Sequence, residues 1–212
     1  LAQRKYRNTM SELRSIIENS VKNSFSAEAY RTLTEEYTKT GKSTGPNQSE
    51  DFVNYTKLNH QRSKRVGKTV ELMESLIAEL ESAPEMDWIL ITESWCGDAA
   101  NSVPILAKIS ERLSNVDLKI VLRDDNLDLM DEFLTNGGRS IPKLIALDKQ
   151  KNVLFTWGPR PEAAQMLYDN WKNDPNKIPF HDFHLVIQKW YNEDKGVSIQ
   201  KELLYLVEQV NQ

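Results

Sequence analysis

The first 83 residues carry apolar positions at helical spacing; after Pro84 the pattern changes to short unbroken apolar runs. Residues 1–10 are polar and without periodicity, which predicts a flexible N-terminal segment. From Ser11 onward Leu13, Ile16, Ile17 and Val21 recur on one helical face. Ser26 reads as the N-cap of a second helix from Ala27 to about Thr40, with Gly41 as its stop. The stretch Gly41-Lys-Ser-Thr-Gly-Pro-Asn is loop-like. A third helical region is expected from about Ser49 to Ala83, where Val66, Val70, Met73, Ile77 and Leu80 form a stripe that Pro84 ends.

Four apolar runs then read as strands: residues 88–92, 118–122, 143–147 and 153–157. The last two are separated by a few polar residues and predict an antiparallel hairpin. Helices are expected at 98–114 and 127–134, and after the hairpin at about 160–173, 180–193 and 198–211. The order is helices, βαβ, a helix, a ββ hairpin, and more helices. It predicts an α/β fold with a mixed central sheet flanked by helices and preceded by a helical extension. The extension, residues 11–83, is expected to pack on residues 84–212 as one globular unit.

Composition narrows the function. The chain has 212 residues, a net charge of −4, one cysteine and three histidines. One cysteine excludes an internal disulfide, a dithiol motif and any multi-cysteine metal site. The acidic balance argues against nucleic acid as a partner. No apolar run approaches the roughly 18–20 residues that span a bilayer. The opening Leu-Ala-Gln-Arg-Lys shows no apolar signal segment, so the expected location is cytoplasmic.

The lone cysteine sits in Thr92-Glu93-Ser94-Trp95-Cys96-Gly97-Asp98-Ala99-Ala100, between a strand and a helix. Unpaired N–H groups at a helix start stabilise a thiolate. The plain alternative is an inert, buried cysteine. Gly41-Lys-Ser-Thr-Gly lacks the leading glycine and preceding strand of a phosphate loop. His181 and His184 stand at i, i+3 but lack a third ligand, so no metal site and no cofactor are expected. The basic stretch from His60 to Arg65 reads as a solvated face.

Three features resemble the thioredoxin family. Trp95-Cys96-Gly97-Asp98-Ala99 stands where that family has Trp-Cys-Gly-Pro-Cys. Pro104 falls where it kinks the following helix. Ser140-Ile141-Pro142 stands at its cis-proline motif, before an apolar strand, a turn and another strand. The resemblance covers about residues 84–172. With Trp157-Gly158-Pro159-Arg160-Pro161 and the N-terminal helices it points to a bacterial thioredoxin-like branch. It implies Cys96 as nucleophile and a groove formed by Ile141 and Pro142.

The departures define the expected chemistry. Ala99 replaces the resolving cysteine, so an external thiol would have to release any mixed disulfide. Leu90 stands where the family buries a proton-relay aspartate. Glu93 is a partial substitute or, more plainly, a solvated carboxylate at a strand end. Asp98 should oppose the helix terminus by raising the Cys96 pKa, leaving a reactive, moderately acidic thiol. Arg139 and Arg160 are either surface residues or anchors for a small anionic thiol. Two functions follow: monothiol thiol-disulfide exchange with a protein or low-molecular-weight thiol or disulfide, serving cell redox homeostasis, or a redox-inactive binding module using the groove beside Pro142.

Overall fold

The computed structural model describes the backbone from Ala2 to Gln212, with side chains described from Ser11 onward. Four helices come first: α1 (Ala2–Val21), α2 (Ala27–Thr40), α3 (Glu50–Thr69) and α4 (Glu74–Ser82). Helix α1 thus extends upstream of the apolar periodicity that begins at Ser11. Ser26 caps α2 by accepting from the Ala29 N–H at 3.1 Å, and Gly41 ends it with φ +66°.

The helical region expected as one piece over 49–83 is broken at residues 70–73. Val70 is extended, and its buried side chain still points inward, so the apolar stripe survives the break. The backbone groups freed there find partners elsewhere. Gln200 accepts from the Met73 N–H at 2.8 Å and donates to the Glu71 carbonyl at 3.0 Å, and Lys108 donates to the Val70 carbonyl at 2.6 Å.

The sheet contains β1 (Met86–Thr92), β2 (Val116–Leu122), β3 (Lys143–Leu147) and β4 (Val153–Trp157), in the order β2-β1-β3-β4. β1 runs parallel to β2 and antiparallel to β3, and β3 pairs with β4 as a hairpin. Every residue of β1 is buried, as an unbroken apolar strand covered on both faces requires. Between the strands lie α5 (Ala99–Arg112) and the short α6 (Leu127–Asp131); α7 (Glu162–Asn173), α8 (Phe180–Asp194) and α9 (Val197–Val210) follow. No helix among the described residues is long and apolar enough to cross a membrane.

The N-terminal helices are tied to the sheet and to α5. Phe25 and Ile120 exchange backbone hydrogen bonds of 2.7 and 2.9 Å, placing a bridge on the outer side of β2. Pro104 lies inside α5 and has no N–H to offer the Ala100 carbonyl four residues earlier. Ser63 of α3 donates to that carbonyl instead, at 3.1 Å. Gly67 keeps α3 close at the same place, where an added Cβ would stand 3.6 Å from Pro104.

Candidate functional site

Cys96 ends the turn that follows β1. Its N–H donates to the Glu93 carbonyl at 3.2 Å, and its own carbonyl accepts from Ala100 at 3.1 Å as α5 begins. The turn is anchored from below. Ser94 is buried and bonded to Thr44 and Thr56, while Asn59 donates to the Ser94 carbonyl at 3.2 Å. The loop after Gly41 therefore clamps the turn through Ser43 and Thr44, both buried. No sequence pattern pointed to this use of it.

The Cys96 sulfur faces the Ile141 carbonyl, to which the thiol donates at 3.3 Å. The Ile141–Pro142 peptide bond is cis, and both residues are buried. Cys96 is 7% exposed. Burial, followed by the neighbouring Asp98 carboxylate, pushes its thiol up to about 12. This corrects the expectation of a moderately acidic cysteine. Asp98 acts in the anticipated direction, but desolvation outweighs the helix terminus.

Asp98 occupies the N-cap position of α5 without capping it. Its carboxylate turns outward to Arg160, at 2.7 Å, and accepts from the Tyr191 hydroxyl at 2.9 Å. Arg160 is accordingly no surface residue. It bonds Gln165 at 3.1 Å and lies 4.2 Å over the Tyr168 ring, while its Nε is buried without a partner. Burial is the largest influence on it and opposes its charge, but Asp98, Tyr191 and Cys96 together outweigh burial and hold its pKa up. Arg139 does lie at the surface, in a two-bond ion pair with Asp131 at 2.6 and 2.7 Å.

Glu93 contradicts its plain reading. It is fully buried, and burial raises its carboxyl pKa. Oε1 accepts from the Asp124 N–H at 2.9 Å; Oε2 has no partner. Ala99 is buried and Trp95 half-buried, the latter packed on Phe52 with the Arg123 guanidinium 4.9 Å over its ring.

Helix α8 supplies the residues that sequence reasoning missed. It lies directly on the Cys-Gly-Asp turn: an added Cβ on Gly97 would meet His184 Nε2 at 2.5 Å. Gln188 donates to the Gly97 carbonyl at 3.2 Å and accepts from Asn101 at 3.0 Å. His184 packs edge-on to Tyr55, and burial lowers its pKa to about 4, so it is neutral. His181 is exposed beside Asp182. These residues lie some ninety positions after the motif and carry no signature that links them to it.

Cys96 lines two cavities. One, of about 440 Å³, lies under α8 between Trp95, Gly97, Ile141 and Arg160, with Arg123, Arg139 and Lys172 also along its wall. The other, of about 580 Å³, lies between α2, α3 and α5. Both volumes fall in the range of small-molecule sites.

Comparison with known proteins agrees with the fold. No curated protein sequence matches the chain. Two solved structures share its fold at 16% identity. One is a protein of unknown function from Pseudomonas aeruginosa, with a TM-score of 0.54, covering 82% of this chain and 96% of that one. The other is an HIV epitope scaffold, with a TM-score of 0.51, covering 82% and 97%. A family model described as thioredoxin matches residues 45–172, which carries the likeness upstream of residue 84 to include α3 and α4. The chain belongs to the thioredoxin family.

Proposed function

We propose that this protein is a thioredoxin-fold binding module whose cavity under α8 takes a small anionic ligand, with Cys96 resting as a neutral thiol. The observation that carries this reading is the state of Cys96. Its proton is engaged by the Ile141 carbonyl, and burial with Asp98 leaves a negligible thiolate population at neutral pH. A nucleophile needs the opposite environment.

The ligand class follows from the walls. Arg123, Arg139, Arg160 and Lys172 line the cavity; the three arginines pair with Asp124, Asp131 and Asp98, and Asp169 also lines the wall. The Arg160 Nε and Trp95 Nε1 are buried donors without acceptors. Arginine side chains, together with two donors still lacking an acceptor, suit a carboxylate or a similar anion. Size and cover favour a small molecule over a protein segment, because α8 occupies the face of Gly97 that an extended peptide would need.

One observation favours a second reading, monothiol exchange. The sulfur lines the cavity beside Ile141, so a bound disulfide could meet it. Cys96 would then lose its proton and attack one sulfur of the disulfide, forming a mixed disulfide and expelling one thiol. Ala99 has no sulfur, so a second, external thiol would have to attack in turn and regenerate Cys96.

One pair of measurements decides. S-methylglutathione, an anion that cannot exchange, should bind saturably by calorimetry and more weakly to Arg139→Ala. Oxidised glutathione at neutral pH should leave the intact mass unchanged. A reducible adduct on Cys96 would favour exchange, and absence of binding by the methylated probe would remove the anion site.

A further inference from the structure

The cavity on the opposite side of Cys96 has different chemistry. It opens between α2, α3 and α5, and its mouth carries the exposed residues Glu28, Lys64 and Lys68. Inside, one side is apolar, formed by Ala99, Ala100, Val103 and Pro104. The deep end holds Glu93, Tyr30 and Cys96, all buried. Glu93 satisfies only Oε1, through the Asp124 N–H. Glu93 lines this space, and its Oε2 is buried with no hydrogen-bond partner. A buried carboxyl oxygen without a donor destabilises the fold, and a ligand supplying the donor would recover that loss.

From this geometry we propose that the cavity between α2, α3 and α5 is a second binding site, for a small amine whose ammonium head bonds Glu93 Oε2 and whose apolar body lies along Ala99, Ala100, Val103 and Pro104. An ammonium head supplies both the missing donor and a counter-charge for a carboxylate removed from water. The nearby cations do not fill that role. Lys108 is spent on the Val70 carbonyl at 2.6 Å and Arg31 on Glu111 at 2.8 Å. Lys64 and Lys68 stand exposed at the mouth. Thr34 and His60, which also line the space, are bonded to each other at 3.3 Å. The proposal uses no residue of the anion cavity except Cys96, which borders both, so either can fail without the other.

The test uses n-butylammonium, n-butanol and butyrate as probes, read by amide shifts of Ser94, Ala99 and Ala100 in the whole chain. Butylammonium should shift these amides saturably, butanol and butyrate should not, and Glu93→Gln should weaken butylammonium at least tenfold. Equal shifts with butanol, undiminished binding by a folded Glu93→Gln protein, or no shift with any probe would overturn the assignment. Should Glu93→Gln lose its dispersed amide spectrum, Val103→Phe decides. That change fills the cavity and keeps the carboxylate, so it should abolish butylammonium binding, and undiminished binding would overturn the proposal.

Discussion

The Tyr191 hydroxyl of α8 donates to Oδ1 of Asp98 at 2.9 Å, fastening the C-terminal helices to the residue that follows Cys-Gly. Both residues are buried. Tyr191→Phe removes the donor and leaves that oxygen unsatisfied. The expected loss is about 1–3 kcal/mol of stability by urea denaturation, accompanied by faster alkylation of Cys96 as α8 loosens. Unchanged alkylation would mean that α8 does not control access to the sulfur.

The ionisation of Cys96 links stability to alkaline pH. Its folded value of about 12 lies above its ordinary value of 9.0. The neutral thiol therefore stabilises the fold fully below pH 9, and that contribution is lost as pH rises from 9 toward 12. Tyr30 and Tyr191 are also raised, first by burial, and act with the same sign. The measurement is thus the difference between wild type and Cys96→Ala, whose stability should fall less steeply above pH 9. Iodoacetamide should modify wild-type Cys96 at a rate still climbing beyond pH 9.

Asp98→Asn separates the two influences on the thiol. It removes a carboxylate that raises the Cys96 pKa while leaving burial in place. Alkylation should begin at lower pH than in wild type. The same change leaves Arg160 without its counter-charge, so stability should drop by about 3 kcal/mol. A variant that is destabilised but shows no displacement of the alkylation profile would remove Asp98 from the control of the thiol.

The link between Ser63 and Pro104 predicts a coupling. Ser63→Ala should cost about 1 kcal/mol by leaving the Ala100 carbonyl unpartnered. In a Pro104→Ala background, residue 104 regains an N–H for that carbonyl, and Ser63→Ala should cost much less. A double-mutant cycle in denaturant measures the difference. Equal costs in both backgrounds would show that Ser63 does not serve the proline.

Gln200 can be tested at the break between α3 and α4. Gln200→Ala removes the acceptor for Met73 and the donor to Glu71 together. A loss of about 2 kcal/mol is expected from two unsatisfied backbone groups.

The strands, the hairpin and the position of Cys96 were legible because each depends on local pattern. The apolar runs at 88–92 and 143–147 leave little choice of strand. The break at 70–73 was not legible. No glycine or proline marks it, and a glutamine more than a hundred positions later stabilises it. The exposed readings of Glu93 and Arg160 failed for a related reason. A charged residue is exposed by default, and these two are covered only in the assembled fold, Arg160 by Asp98 and by Tyr168 of α7. Asp98 was read with the correct sign of influence on Cys96, but the desolvation that dominates is a property of the assembled fold.

The bridge between Phe25 and Ile120 has a consequence for colloidal behaviour. It spends hydrogen-bonding groups on the outer side of β2 within the chain and interrupts that margin as a template for strand addition. The margin left to another molecule is β4, whose Val153 is exposed. Sheet-to-sheet growth of this protein would therefore begin at the β4 edge of the hairpin.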